Sequence, residues 1–114
     1  MAWVSQPRKE GGIENLRFPL LSDLSKKIST DYGVLVDNNI ALRGTFLIDP
    51  KGIVRQITMN DFDIGRSVDE TLRLLEALQF HDENGAVCPA GWKKGAKSMK
   101  ADPVLAKEYF KSEY

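Results

Sequence analysis

Leu42-Arg43-Gly44-Thr45-Phe46-Leu47-Ile48-Asp49-Pro50-Lys51-Gly52-Ile53-Val54-Arg55-Gln56-Ile57-Thr58-Met59 is the stretch that decides the fold. It begins as a strand that ends in the unbroken apolar run Phe46-Leu47-Ile48, a pattern suited to a strand covered on both faces. Asp49, Pro50 and Gly52 then occupy positions i, i+1 and i+3 of a type I turn. Ile53 to Met59 mixes Arg55, Gln56 and Thr58 with Ile53, Ile57 and Met59, as a strand near a sheet edge does. The stretch predicts a β-hairpin.

Downstream, Ser67-Val68-Asp69-Glu70 has the form of a capping box, in which Ser67 accepts from the N3 amide and Glu70 reaches back. Val68, Leu72, Leu75 and Leu78 follow as one apolar stripe, widened by Leu74 and Ala77, and the stripe should lie on the hairpin. After Phe80 the character changes. Gly85, Pro89, Gly91, Gly95 and Pro103 punctuate a loop-rich tail, and Asp102-Pro103 looks like an N-cap with Pro at N1, opening a short helix through Tyr109 and Phe110. Upstream, Phe18 to Leu21 is an apolar run suited to a buried strand. Ser22 or Asp23 can cap a helix bearing Leu24, Ile28 and Tyr32 at four-residue spacing, with Gly33 at C′. Residues 1–14 read as irregular, broken by Pro7, Gly11 and Gly12. An α/β organisation follows, divided into residues 1–80 and a tail of residues 81–114.

The chain has 114 residues, 42% of them hydrophobic, which is enough for a packed core and too many for a disordered tail. Sixteen Lys plus Arg balance sixteen Asp plus Glu, so no overall charge draws the chain to nucleic acid or to an anionic membrane. The sequence holds no apolar run long enough to span a bilayer and no signal-peptide pattern at Met1. A single histidine, His81, argues against a histidine-based metal site, and no cofactor is expected.

Cys88 is the one cysteine, and it cannot form an internal disulfide. On its residues alone it is either a small buried apolar side chain or a thiol for exchange chemistry. It precedes Pro89, lies between Gly85 and Gly91, and sits outside the apolar stripes, all of which suit an accessible loop thiol.

Five stretches, in order, resemble typical two-cysteine peroxiredoxins. They are Ala2-Trp3 with Pro7-Arg8-Lys9; Arg43-Gly44-Thr45-Phe46-Leu47-Ile48-Asp49; Arg55-Gln56-Ile57-Thr58-Met59-Asn60-Asp61; Gly65-Arg66-Ser67-Val68-Asp69-Glu70-Thr71-Leu72-Arg73; and Val87-Cys88-Pro89-Ala90-Gly91-Trp92. The resemblance covers nearly the whole chain and corresponds to the C-terminal half of that family. It implies a partial thioredoxin-like α/β fold that lacks the N-terminal strands and the active-site helix. It also implies an enzyme that reduces hydrogen peroxide and organic hydroperoxides, with a thioredoxin-like electron donor.

By the same resemblance Cys88 stands at the resolving position, Arg43 at the active-site arginine and Arg66 at a second arginine of that network. The bland readings of Arg43 and Arg66 are a strand-end arginine and an exposed residue before a helix cap. Ile53 to Met59 matches the strand that pairs across a two-fold axis, implying a homodimer or higher oligomer. Tyr109-Phe110 matches the C-terminal helix that covers the active site in sensitive members, while Gly11-Gly12-Ile13-Glu14 departs from the companion loop at its last glycine. Nothing matches the family's Pro-Thr-Cys peroxidatic motif. The chain is therefore expected to be a piece of a longer protein, inactive and poorly stable by itself, with a cytoplasmic location. A non-catalytic interaction module that pairs with peroxiredoxin subunits or other partners is the competing reading.

Overall fold

The computed structural model describes residues 2–114. Two compact units, residues 1–39 and 40–114, divide the chain. The first contains helix α1 (Ala2–Ser5), a 3₁₀ turn (Arg8–Glu10), helix α2 (Lys27–Asp31) and strand β1 (Leu35–Val36). The opening segment is thus more ordered than its Pro and Gly content suggests. Trp3 Nε1 donates to the Gly11 carbonyl at 2.9 Å and Gln6 Nε2 to the Glu10 carbonyl at 2.8 Å. Gly12 is held so close to Gln6 that a Cβ there would run into the Gln6 carbonyl.

Residues 18–21 form no strand. Among the described residues no ladder partner reaches them, and Phe18 is 69% exposed. An apolar run without a neighbouring strand cannot satisfy its backbone as sheet. The helix that follows begins at Lys27, later than the sequence suggests. Asp23 acts as its anchor: its carboxylate accepts from the Ile28 and Ser29 amides at 3.0 and 2.8 Å, while Lys26 takes a left-handed φ of 61°. Gly33, with φ 70°, follows Tyr32 as the spacing predicts.

The second unit holds β2 (Ile40–Ala41), β3 (Arg43–Ile48), β4 (Val54–Asn60), α3 (Val68–Asn84) and α4 (Ala106–Glu113). Strands β3 and β4 pair antiparallel, from Arg43 opposite Asn60 to Leu47 opposite Gln56. The predicted turn closes the hairpin. Gly52 N donates to the Asp49 carbonyl at 2.9 Å, and the Asp49 side chain accepts from Lys51 and Ile53 amides. Between Leu47 and Ile48 the register slips, so that Ile48 faces Val54 and Arg55 is left over as a bulge. The expectation that Phe46-Leu47-Ile48 is covered on both faces fails: Phe46 and Leu47 are half-buried and Ile48 is exposed. Both outer edges of the hairpin lack a ladder partner among the described residues.

Helix α3 starts where the cap predicts, with Ser67 Oγ accepting from the Glu70 amide at 3.1 Å. The reciprocal half of the capping box does not form, because Glu70 instead takes two hydrogen bonds from Arg73. The helix runs on past Phe80 and ends at Gly85, whose φ of 67° and amide bond to the His81 carbonyl terminate it. The stripe is covered unevenly. Leu74, Ala77 and Leu78 are half-buried, whereas Val68 is 80% exposed and Leu72 51%. In the tail, Asp102 accepts from the Val104 and Leu105 amides at 2.8 and 2.9 Å in a turn ahead of α4, but the helix itself begins later than Asp102-Pro103 predicts, at Ala106 behind Leu105, with no side-chain cap. Among the described residues the buried apolar side chains are Val34, Trp92 and Ala106, a core much smaller than the exposed apolar surface.

Candidate functional site

The site builds outward from the end of α3. Once Gly85 stops the helix, the chain doubles back along it. His81 Nδ1 lies 2.8 Å from the Ala86 carbonyl, and because a carbonyl only accepts, that nitrogen carries a proton. Val87 and Met99 exchange both amide hydrogen bonds, at 2.7 and 2.9 Å, which closes residues 87–99 into a loop. Gly91, with φ 70°, and the Trp92 amide bond to the Pro89 carbonyl turn the chain inside that loop.

Cys88 is half-buried rather than freely accessible. Its Sγ donates to the Ala77 carbonyl at 3.5 Å, and the thiol lines a shallow pocket of about 260 Å³ with Arg55, Gln56, Leu74, Ala77, Leu78 and His81. It therefore does join an apolar stripe, the one on α3, which the sequence pattern did not reveal. Burial pushes the Cys88 thiol up from its ordinary value. The thiolate is the reactive form of a cysteine, so the docked position holds this thiol in its less reactive form.

Arg55 sits at the rim. Its guanidinium pairs with Asp82 at 3.0 Å and with Asp49 at 3.3 Å, tying the hairpin turn to the last turns of α3. The hydrogen bond from Arg55 is the chief reason that Asp82 titrates below the usual carboxylate range. Asp49 is also lowered, mainly by the Ile53 amide and less by Arg55. Trp92 is 3% exposed, packs on Phe80 with ring centroids 4.9 Å apart, and donates from Nε1 to the Ala96 carbonyl at 3.2 Å. Arg73 donates to the Trp92 carbonyl at 2.8 Å. Lys97 bonds Glu113 at 3.0 Å, linking the loop to α4.

The structure does not bring Arg43 and Cys88 together. Arg43 is exposed at the opposite end of the hairpin, where its Nε donates to the Phe62 carbonyl at 2.8 Å. It faces Asn60, four residues along β4 from Gln56 beside Cys88, a separation of roughly 13 Å along the strand. Arg66 is exposed before the α3 cap and forms no hydrogen bond or ion pair among the described residues. Arg55, Arg73 and His81 were not singled out as site residues by sequence. Arg55 and Arg73 both lie within the family-like stretches, at residues 55–61 and 65–73, and Arg55 is also marked by its polar character on a strand. Among the described residues no helix is long and apolar enough to cross a membrane, and no cluster of three metal-binding side chains forms.

A partial α/β chain carrying a thiol loop docked on a helix is the class that these features define. Comparison with known proteins makes it specific. The model of the AhpC/TSA family matches residues 1–57, and that of the C-terminal domain of 1-Cys peroxiredoxin matches residues 77–112, which include Cys88. The chain is 56% identical over 111 residues to Peroxiredoxin-2 of Macaca fascicularis, covering 96% of this chain and 56% of that protein. It is equally 56% identical to Peroxiredoxin-4 of Homo sapiens, covering 41% of that protein. The crystal structure of reduced Plasmodium vivax 2-Cys peroxiredoxin superposes with a TM-score of 0.89 at 47% identity, over 96% of this chain and 57% of that one. The chain belongs to the AhpC/TSA family, as a peroxiredoxin with a partial thioredoxin-like fold. It spans about half the length of the curated relatives that it matches.

Proposed function

We propose that this chain supplies the resolving-cysteine half of a thiol-dependent peroxidase that reduces hydrogen peroxide and organic hydroperoxides. The observation that carries the reading is Cys88, set in a loop that the family's C-terminal model spans and docked against the Ala77 carbonyl of α3. A peroxidatic thiolate supplied by another part of the whole protein attacks the terminal peroxide oxygen. The O–O bond breaks, the leaving oxygen takes a proton to become water or an alcohol, and the sulfur becomes a sulfenic acid. The Cys88 sulfur then displaces hydroxide from that sulfur, its own proton leaves with the hydroxide as water, and an S–S bond forms. A thioredoxin-like donor returns both sulfurs to thiols.

In this reading residues 1–80 are the C-terminal part of the thioredoxin-like domain and residues 81–114 the resolving tail. Arg43 and Arg66 serve the peroxide site, where a guanidinium lowers a neighbouring thiol's pKa and donates to peroxide oxygens. Two copies pair through the edge formed by Ile53 to Met59, whose backbone groups otherwise face water. The location is cytoplasmic. The second reading, an interaction module without catalysis, is favoured by the amount of apolar surface left open, including Leu24, Leu21 and Val68.

One experiment separates the two. In the whole protein, one equivalent of hydrogen peroxide should give a disulfide-linked dimer on a non-reducing gel, and Cys88→Ser should abolish it. A dimer that survives in Cys88→Ser would remove the resolving role, and the absence of any peroxide-dependent dimer would favour the interaction module.

A further inference from the structure

Three successive turns of α3 hold the Cys88 loop. Arg73 donates to the Trp92 carbonyl, the Ala77 carbonyl accepts from Cys88 Sγ, and His81 donates to the Ala86 carbonyl. Positions 73, 77 and 81 are spaced by four, so they lie on one face of the helix. Their partners 92, 88 and 86 run in the opposite order, so the loop lies antiparallel along that face with Cys88 in the middle.

The three contacts differ in strength. A thiol is a weak donor, and its 3.5 Å contact cannot by itself hold a loop. Arg73 is different. Glu70, one turn earlier, accepts from its Nε and Nη2 at 2.7 Å each, which fixes the plane of the guanidinium and leaves Nη1 aimed at the Trp92 carbonyl at 2.8 Å. The indole of Trp92 is buried against Phe80, so its backbone cannot shift without moving the ring.

We propose that Arg73, oriented by Glu70, is a positioning residue for Cys88, clamping the loop to α3 and setting how often the thiol leaves the Ala77 carbonyl. The proposal rests on the reading of Cys88 as the resolving thiol. A disulfide to a second sulfur needs Cys88 Sγ free of the helix, so the clamp governs the fraction of loops competent for that step. A lysine cannot replace the arginine, since one ammonium does not supply the forked donors that bind Glu70 and the carbonyl together.

The test is the alkylation rate of Cys88 by iodoacetamide in the full 114-residue chain, measured across pH. The native chain should react at least about tenfold more slowly than the same chain in urea, because a docked thiol reacts from its open state. Arg73→Ala should raise the native rate by about tenfold, the effect of losing one charge-assisted hydrogen bond. It should also move the pH midpoint of alkylation down toward that of an ordinary thiol. Arg73→Lys should fall between the two. Asn60→Ala, which removes the hydrogen bond to the Gly65 carbonyl and touches neither Arg73 nor Glu70, should leave both rate and midpoint near those of the native chain.

An unchanged rate in Arg73→Ala would overturn the proposal. So would an equal rise in Asn60→Ala, or a native rate already matching that in urea. The assay needs no peroxide, so it can fail while the peroxidase reading stands, and the reverse also holds.

Discussion

The two ends of helix α3 have the same apolar pattern and different surroundings. At the N-terminal end Val68 and Leu72 lie open; at the C-terminal end Ala77, Leu78 and Phe80 are half-buried, Ala77 and Leu78 beside Cys88 and Gln56 and Phe80 against Trp92. The stripe itself does not distinguish them. What distinguishes them is whether a partner lies nearby in the same chain, and for the C-terminal end much of that partner is the tail. The tail is therefore part of the packing of this unit and not an appendage to it.

The sharpest way to break the comparison is Trp92→Ala. Removing a buried indole typically costs about 3–5 kcal/mol. It should detach the tail, and hydrogen exchange at the Val87 and Met99 amides should accelerate far more than at the Thr71 amide near the helix start. Equal acceleration at both ends would mean that α3 opens as one unit and that the contrast has no energetic content.

A smaller effect concerns acid. Asp82 is held below the ordinary carboxylate value of 3.8, chiefly by Arg55. A carboxylate lowered in the folded state contributes stability that is fully present above its unfolded pKa and is lost as pH falls through the lower folded pKa. Between about pH 5 and pH 3 the urea midpoint of the native chain should therefore fall more steeply than that of Asp82→Asn. Parallel curves for the two chains would show that the Arg55 link adds nothing to the covered end. The smallest expected effect is at the open end. Val68→Ala should shift unfolding stability by less than about 0.5 kcal/mol, as surface substitutions usually do. A larger loss in the urea midpoint would mean that Val68 is covered in solution.

Sequence reading succeeded where structure is local. The Asp49-Pro50-Lys51-Gly52 turn, the Ser67 cap and the Gly33 stop all depend on residues within four positions of one another. It failed at residues 18–21, where strand character needs a neighbour that the described residues do not provide. It also missed the docking of Cys88, because the acceptor is the backbone carbonyl of Ala77 and no side-chain pattern encodes it. The family stretches were legible as a set, yet they did not reveal that Arg43 and Cys88 stand at opposite ends of the hairpin.

The slip between Leu47 and Ile48 has a consequence for how this chain can vary in length. Counting back by twos from Met59 through Ile57 would place Arg55 on the exposed side, yet Arg55 shares the half-buried side with Gln56. The extra residue inverts the pleat at that point and turns the guanidinium toward Asp49 and Asp82. Between Gly52 and Gln56 the number of residues therefore matters as much as their identity. Exchanging Val54 for another β-branched residue preserves the phase of the strand. Deleting one codon there would reverse it and send the cation to the wrong face, even if every remaining residue were unchanged.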